Sequence, residues 1–364
     1  MRDSNPASLL PVLLAAASAA LLALVGCQIP YLASQAAGQA RLMASAQSTA
    51  SLRSSGRCSP GLASTFSEVD ALLSFAARQG FSVGEAYRTY AVPAEGFPVW
   101  IVSACPPDRL EPVAWSFPLV GSFPYKGYFR RTLAEREAEL WRGRGFEVDL
   151  RPALAYSTLG YFADPLVPTL LLGDAGQRAG GILHELAHRT VFVPGEPRLN
   201  ESISVSIENF AVRAWLEERG ETAALAEHSS RLADRERLRT AVAVVLEELR
   251  EAFVSEDRSQ RLAAKEAVLA RFAARWREAP PQSAHYAGLV EAEWNLPSLL
   301  LIDVYGGDGE LLERIYDLCG RSLPSYLMRL QDAAKTEDPR ATLEKWAERG
   351  KNLSSRGTIG PGVT

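Results

Sequence analysis

The stretch from His184 to His188 constrains this chain more than any other feature. It reads His-Glu-Leu-Ala-His, and Asn200 and Glu201 follow it within one further segment. Residues four apart lie on one face of a helix, so both imidazoles can reach one metal ion. Glu185 lies slightly round that face, where its carboxylate can accept a proton from water at the metal. The pattern predicts a metal-binding helix that carries its own general base.

A third protein ligand is expected, because a catalytic zinc ion usually has three protein ligands and one open position. We predict one Zn²⁺ per chain, held by His184, His188 and Glu201. Glu201 and Glu208 share an otherwise apolar helix face, where unpaired carboxylates would be costly. We therefore assign Glu208 and Asn200 to the groups that orient the ligands. The alternative is that Glu208 binds the metal and Glu201 only caps the helix.

The short motif also occurs by chance, on helices that simply carry two surface histidines. Here only four histidines are present, and two of them have this spacing. The flanks from Ile182 to Phe192 are apolar, as in a buried helix, and a second acidic helix follows at a distance that allows a turn and return. These features favour a metal site. Two histidines and a carboxylate can also bind iron, although the helical spacing favours zinc.

Residues 1–26 are predicted to be a lipoprotein signal peptide. An uncharged apolar run follows Arg2 and ends in Leu-Val-Gly-Cys at Cys27. This ending resembles the bacterial lipoprotein cleavage box, which implies cleavage before Cys27 and attachment of lipid to it. In such lipoproteins Gln28, in place of Asp, implies the outer membrane, so we expect a cell-envelope protein that faces the periplasm. A retained membrane anchor is the alternative.

The composition is that of a globular protein and argues against a nucleic-acid-binding function. Hydrophobic residues make up 47% of the chain and charged residues 23%, as in ordinary globular proteins. The net charge of −4 gives no indication of nucleic-acid binding. We expect a peptide or protein substrate, contact with the membrane through the N-terminal lipid, and no nucleic-acid partner.

Cysteine usage fits a compartment outside the cytoplasm. With Cys27 lipidated, we expect a disulfide between Cys58 and Cys105 and a buried free thiol at Cys319. Other pairings of the three thiols stay open. None of them has the spacing of a cysteine zinc site.

The periodicity of apolar residues predicts an α+β fold, with a small mixed sheet before the histidine helix and a mostly helical C-terminal half. The predicted segments are a lipidated N-terminus and tether (27–56), a peptidase domain (57–349) made of a sheet-containing part (57–173), metal-binding helices (174–220) and a helical part (221–349), and a disordered tail (350–364). Helices are predicted over 36–48, 66–90, 132–144, from Asp174 through the histidines, 200–219, and as a hairpin over 223–278. Extended segments are predicted over 98–104, 115–120, 148–154, 155–160 and 168–172.

Three details of this pattern bear on the site. Gly180 and Gly181 weaken their helix and predict a close neighbour, such as the preceding strand. Strand 155–160 is either an ordinary core strand or an edge that pairs with an extended peptide. His228, in the charged hairpin, is expected at the surface.

Three sequence blocks together resemble one known group. They are Pro124 to Phe129, the stretch from Tyr156 to Leu166, and His184 to Glu208. They resemble the family of predicted bacterial zinc aminopeptidase lipoproteins, and the resemblance covers most of the chain after Cys27. It implies a zinc-dependent aminopeptidase with a zincin-like fold.

The spacing of Asn200, Glu201 and Glu208 also resembles the Asn-Glu-x6-Glu pattern of gluzincin aminopeptidases. In those enzymes the first acid binds zinc, which implies Glu201 as the ligand here. This chain has a shorter gap between His188 and Glu201, and it lacks the Gly-x-Met-Glu-Asn segment that recognises a free amine in those enzymes. An envelope endopeptidase and a non-catalytic scaffold lipoprotein are therefore the alternative functions.

The implied mechanism still needs a donor for the oxyanion. Glu185 takes a proton from the attacking water and passes it to the leaving amine. Zinc peptidases often complete this with a Tyr or His donor. Tyr305 is the first candidate, followed by Tyr286 and His285, although each of these residue types is more often structural.

Overall fold

In the computed structural model, the described residues are 29–117, 121–154, 158, 163–304 and 307–356. Helices predominate among them, and small sheets precede the histidine helix, as the α+β prediction requires. The helices are α1 (29–45), α2 (Thr49–Ser54), α3 (Pro60–Arg78), α4 (Arg131–Gly143), α5 (Ala175–Thr190), α6 (Pro197–Glu218), α7 (Thr222–Ala252), α8 (Arg258–Glu278), α9 (Leu296–Val304), α10 (Gly309–Leu318), α11 (Leu323–Ala334) and α12 (Pro339–Arg356). The strands are β1 (Gln47–Ser48), β2 (Thr89–Tyr90), β3 (Val99–Cys105), β4 (Trp115–Phe117), β5 (Gly121–Phe123), β6 (Lys126–Tyr128) and β7 (Glu147–Ala153).

The largest sheet has the order β6-β3-β7, and both pairings are antiparallel. Trp100 of β3 lies opposite Tyr128 on one side and Pro152 on the other. The predicted mixed sheet is therefore wrong for the described strands, whose pairings are all antiparallel; a single parallel bridge joins Tyr90 to Leu166 outside them. Helix α4 packs on this sheet through Ala134 and Ala138, because small side chains on one helix face allow close approach.

Two larger apolar clusters hold the helices together. The first joins α3, α5 and α6 to α10, α11 and α12, and includes Leu183, Ile207 and Trp215. The second joins the predicted hairpin α7–α8 to α9, with Phe272 and Leu246 buried in it. In α7 the buried residues recur every three or four positions, which is the spacing that directs one helix face inward.

Helix α5 begins where the sequence predicts. The Asp174 carboxylate accepts a hydrogen bond from the Gln177 backbone N–H at 2.8 Å, and the Gln177 side chain accepts one from the Asp174 N–H at 2.9 Å. This reciprocal pair satisfies two donors at the helix end. The preceding segment Pro168–Leu171 is a 3₁₀ turn, and the predicted extended conformation there is wrong. Proline at the first helical position favours such a turn.

The N-terminal region is packed and is not a free tether. Helix α1 buries Leu42 and helix α2 buries Leu52, and both leucines join the first cluster. At the other end, α12 continues to Arg356, seven residues into the predicted tail. No helix in the described part of the chain is both long and apolar enough to cross a membrane. Cys27 and the predicted signal peptide lie outside the described residues.

The predicted disulfide between Cys58 and Cys105 is also wrong in this structure, where both residues and Cys319 are free thiols. Cys58 packs against the first apolar cluster, whereas Cys105 is buried in the second, where its thiol donates to the Arg109 carbonyl at 2.9 Å. Burial raises the pKa of the Cys105 thiol to about 12. The two sulfurs therefore belong to different parts of the core.

Candidate metal centre

Two helices bring the predicted ligands together. His184 and His188 of α5 lie on one face, with their ring centroids 4.9 Å apart. Helix α6 places Glu201 opposite them, with its Oε2 atom 3.5 Å from His184 Nε2 and 3.7 Å from His188 Nε2. One ligand atom from each of the three residues lies within 4.8 Å of the others. Two imidazoles and one carboxylate are a donor set that catalytic metal sites use, with one coordination position left open.

The other ring nitrogen of each histidine already has a partner. His184 Nδ1 lies 3.2 Å from Glu208 Oε2, and His188 Nδ1 lies 2.9 Å from Ser204 Oγ. These contacts hold both rings with Nε2 directed at Glu201, as outer groups do around protein metals. Glu208 thus occupies the orienting position predicted for it.

Ser204 was missed by the sequence reasoning, although a signal for it exists. It lies three residues after Glu201 and four before Glu208, so all three share one stripe of α6. A small polar residue between two predicted site carboxylates on such a stripe has access to the same histidines. The structure makes it the partner of the second imidazole.

The residues fit a bound cation. Glu201 Oε2 is buried and has no hydrogen-bond partner, although two imidazole nitrogens face it. An unsatisfied buried carboxylate oxygen is costly, and a metal ion between these three atoms would remove that cost. Burial alone would raise the pKa of Glu201, but His184 and His188 lower it to about 2.

The surrounding charge also favours a cation. Burial would lower the pKa of His184, but Glu201 and Glu208 raise it to about 10. Burial would likewise raise the pKa of Glu208, whereas Arg235 and then His184 lower it to about 2. The two carboxylates thus stabilise a positive charge on the His184 ring. A divalent ion bound at this position can supply the positive charge in place of the proton.

Glu185 lies beside the ligands in a nearly closed environment. Its exposed fraction is 9%. Burial raises the pKa of its carboxyl, the two histidines lower it, and Glu201 and Asp164 raise it further. A carboxylate with a raised pKa is a better proton acceptor, which is the property that a general base needs.

Asn200 acts through the backbone and not on a ligand side chain. Its amide accepts from the Val193 N–H at 2.8 Å and donates to the Val193 carbonyl at 2.7 Å. Both groups lie in the loop between α5 and α6, so this pair fixes the entry into α6 and the position of Glu201. The predicted orienting role is therefore indirect.

The two glycines of α5 have close neighbours on two sides. A Cβ atom on Gly180 would lie 3.1 Å from Glu208 Oε1, and one on Gly181 would lie 3.0 Å from Leu170 Cδ2. Close packing was predicted, but the neighbours are α6 and the 3₁₀ turn instead of a strand. The absence of a side chain at Gly180 lets Glu208 reach His184.

A comparison with family models assigns the chain to a family. A family model described as "Putative aminopeptidase" matches residues 30–343. The chain belongs to this family. Membership implies a peptidase, and the matched region contains every residue of the site described above. No curated protein and no solved structure matches the chain significantly.

Two predicted oxyanion donors of this aminopeptidase-family chain, His285 and Tyr286, line a cavity that His184 and Glu185 also line. His285 Nδ1 lies 2.9 Å from Gln177 Nε2. Gln177 precedes His184 by seven residues, or about 10 Å along the helix axis. His285 and the adjacent Tyr286 therefore lie beside the first turns of α5, and Tyr305 is outside the described residues.

Tyr125 is a tyrosine that the sequence reasoning quoted but did not assign. It lies in the turn between β5 and β6. Burial, followed by the negative charges of Glu201 and Glu185, raises the pKa of its hydroxyl well above the usual value. This electrostatic coupling indicates that the Tyr125 hydroxyl lies near the predicted ligand Glu201 and the predicted base Glu185.

A cavity of about 850 Å³ reaches the site from the side of α5. His184 and Glu185 lie in its wall, and Val205 and Glu208 of α6 continue it. A volume in the range of about 300–1,000 Å³ is typical of sites for small ligands and short peptides. The family's peptidase chemistry thus has space for a substrate beside the predicted base.

Proposed function

We propose that this chain is a zinc-dependent aminopeptidase. The observation that carries the proposal is the convergence of two imidazole Nε2 atoms on Glu201 Oε2, a buried oxygen without a hydrogen-bond partner. Membership of the aminopeptidase family supports the class of reaction. The occupied Nδ1 atoms support a preformed site, because they fix the rings before any ion binds.

His184, His188 and Glu201 would hold the ion. Zinc bound there would lower the pKa of a water molecule and polarise the scissile carbonyl. Glu185 accepts a proton from the attacking water and delivers it to the leaving amine. Its burial keeps competing water away and raises its proton affinity. Ser204 and Glu208 hold the imidazoles in the ligating orientation.

The first test is metal content together with peptide hydrolysis. The chain from Gln28 onward, dialysed and analysed by elemental mass spectrometry, should hold about one zinc ion. Glu185→Gln should keep the zinc but reduce kcat by about 10²–10⁴-fold, as expected for loss of a general base. Absence of metal after zinc is added back would contradict the proposal.

Blocked peptides decide between exopeptidase and endopeptidase. An aminopeptidase should cleave a free-amine peptide and fail on its N-acetylated form. Equal cleavage of both forms would assign an endopeptidase instead, consistent with the missing Gly-x-Met-Glu-Asn segment. Zinc binding with no hydrolysis of either form would leave the scaffold function.

We further propose that the enzyme acts at the cell envelope, anchored by lipid on Cys27 and facing the periplasm from the outer membrane. The cleavage-box sequence and Gln28 support this location. Cells expressing the chain should incorporate labelled palmitate, and Cys27→Ala should abolish incorporation. Labelling that persists in the variant would show that the lipid is attached to another residue, which would contradict the proposed anchor at Cys27.

A further inference from the structure

The cavity beside the metal centre has a largely apolar wall. Its apolar members come from several parts of the fold: β3, the residue after β7, the 3₁₀ turn with the residue after it, α6, α7 and α9. They include Ile101, Leu154, Leu170, Leu172, Val205 and Leu301. Leu154 and Leu172 are 52% and 61% exposed, although large apolar side chains are usually buried. Their exposure towards a cavity marks a surface that an apolar ligand could cover.

The four glutamates of the wall are matched by four arginines, and two of these, Arg231 and Arg235, lie 3.8 Å from Asp174 and 3.6 Å from Glu208. Each of the four arginines donates a hydrogen bond to a neighbouring side chain. The pairs are Arg151 with Asp149, Arg231 with His228, Arg235 with Asn209, and Arg239 with Glu236. A charged substrate side chain would have to compete with these contacts or lose its own hydration. The cavity therefore suits apolar side chains better than charged ones.

The cavity also lies where substrate residues must lie. His184 and Glu185 belong both to its wall and to the candidate metal centre, so an occupant lies next to the proposed base. Its volume of about 850 Å³ exceeds the needs of one side chain and accommodates a short peptide segment. The apolar wall and the position beside the proposed base thus indicate a peptide with apolar side chains as the occupant.

We propose that this cavity selects peptides with bulky apolar residues next to the scissile bond, with Leu154 and Leu172 as specificity-determining residues. The inference rests on the proposed peptidase function. Apolar burial in a pocket of this kind discriminates by about 10- to 200-fold for each group added or removed. We expect kcat/KM for Leu-Leu-Gly-Gly to exceed that for Asp-Asp-Gly-Gly by at least about tenfold.

The test uses the zinc-loaded chain and two variants at the cavity. Leu154→Asp and Leu172→Asp change exposed positions, so both variants should fold. Each should lower kcat/KM for Leu-Leu-Gly-Gly about tenfold without lowering that for Asp-Asp-Gly-Gly. The matched control is Leu140→Asp on α4, where the leucine is 48% exposed away from the cavity, and it should change neither value.

Calorimetric binding separates this inference from the proposed function. In the Glu185→Gln background, Leu-Leu-Gly-Gly should bind at least about tenfold more tightly than Asp-Asp-Gly-Gly, and Leu172→Asp should remove the difference. Selective binding in this background, with no hydrolysis of either peptide by the zinc-loaded natural chain, would sustain the selection of apolar peptides by the cavity and overturn the peptidase function. Hydrolysis without preference, or a preference that survives both variants, would overturn the inference alone. Neither binding nor hydrolysis would overturn both.

Discussion

At the scale of single residues, the two histidines proposed as ligands are held by chemically different partners. Glu208 gives His184 a carboxylate, whereas Ser204 gives His188 a hydroxyl. We predict that Ser204→Ala and Glu208→Gln each weaken zinc binding by about 10- to 100-fold, since outer partners fix ring orientation and basicity. Competition with a chelator measures the affinity.

A matched serine controls for the general effect of changing α6. Ser202 lies two residues from Ser204, is also buried, and its hydroxyl has no hydrogen-bond partner. Ser202→Ala should therefore leave the zinc affinity unchanged. Equal losses in the two serine variants would assign Ser204 a packing role.

Tyr125 offers a second prediction at this scale. Because burial and two nearby carboxylates raise the pKa of its hydroxyl, the side chain stays protonated and can donate to developing negative charge. Tyr125→Phe should lower kcat by about 10²–10³-fold, the usual effect of removing one such donor, while zinc content is unchanged. Tyr286→Phe tests the competing donor, because Tyr286 lines the same cavity as His184 and Glu185, and it should lower kcat less than Tyr125→Phe does. A larger loss of kcat in Tyr286→Phe than in Tyr125→Phe would instead support the donor predicted from the sequence.

His228 links the fold to pH. His228 was predicted at the surface, but its side chain is 0% exposed. Burial, followed by the charge of Arg231, lowers its pKa to about 4 from the usual 6.5. As the pH falls, His228 therefore takes up a proton at a higher pH in the unfolded chain than in the folded chain. The stability that this neutral group contributes is complete above pH 6.5 and is lost towards pH 4, by about 2 kcal/mol between pH 7 and pH 5.

Denaturant titrations at pH 7 and pH 5 measure this loss. His228→Gln removes the titrating group, so the free energy of unfolding of the variant should fall less over that interval than that of the natural chain. Identical pH profiles would show that other groups cause the acid sensitivity.

At the scale of secondary structure, the sequence predicts best where local signals agree. Asp174 and Gln177 begin α5 as a capping pair, and the spacing of Glu201 and Glu208 predicts the inward face of α6. The 3₁₀ turn before α5 was predicted as extended, because a short apolar run after proline has no distinguishing period. Long-range contacts decided the rest: the partners of Ser204 and Tyr125 come from other elements.

Gly180 tests how closely α5 and α6 must pack. Gly180→Ala should favour the helix by about 1 kcal/mol from propensity, but the new Cβ would lie only 3.1 Å from Glu208 Oε1. Displacing Glu208 releases His184, so we expect weaker zinc binding without loss of folding. Gly61→Ala in α3, where a Cβ meets nothing within 4 Å, is the control and should leave zinc affinity unchanged. Equal zinc affinities in the two variants would show that Glu208 can move away from the new Cβ without weakening zinc binding.

At the scale of the whole molecule, the site lies where two parts of the core meet. Helices α5 and α6 belong to the first apolar cluster, whereas Leu238 of α7, in the cavity wall, belongs to the second. The cavity therefore has walls from both clusters. Sequence periodicity identifies each helix face but not which helices share a cluster, and so it could not predict this cavity.

The N-terminal segment belongs to this whole, contrary to the predicted tether. Leu42 and Leu52 are 6% and 8% exposed in the cluster that contains the metal-binding helices, and the Tyr31 hydroxyl donates to the Gly127 carbonyl at 2.9 Å. Truncating a buried leucine to alanine usually costs about 2–5 kcal/mol. Leu42→Ala and Leu52→Ala should each lower the free energy of unfolding by that amount.

Exposed positions on the same helix provide the control. Ile29 and Leu32 are 57% and 41% exposed, so Ile29→Ala and Leu32→Ala should change the free energy of unfolding by less than about 0.5 kcal/mol. If the buried and exposed variants unfold alike, the segment before residue 57 acts as a tether after all. If only the buried variants lose stability, the segment that contains Leu42 and Leu52 is part of the folded body.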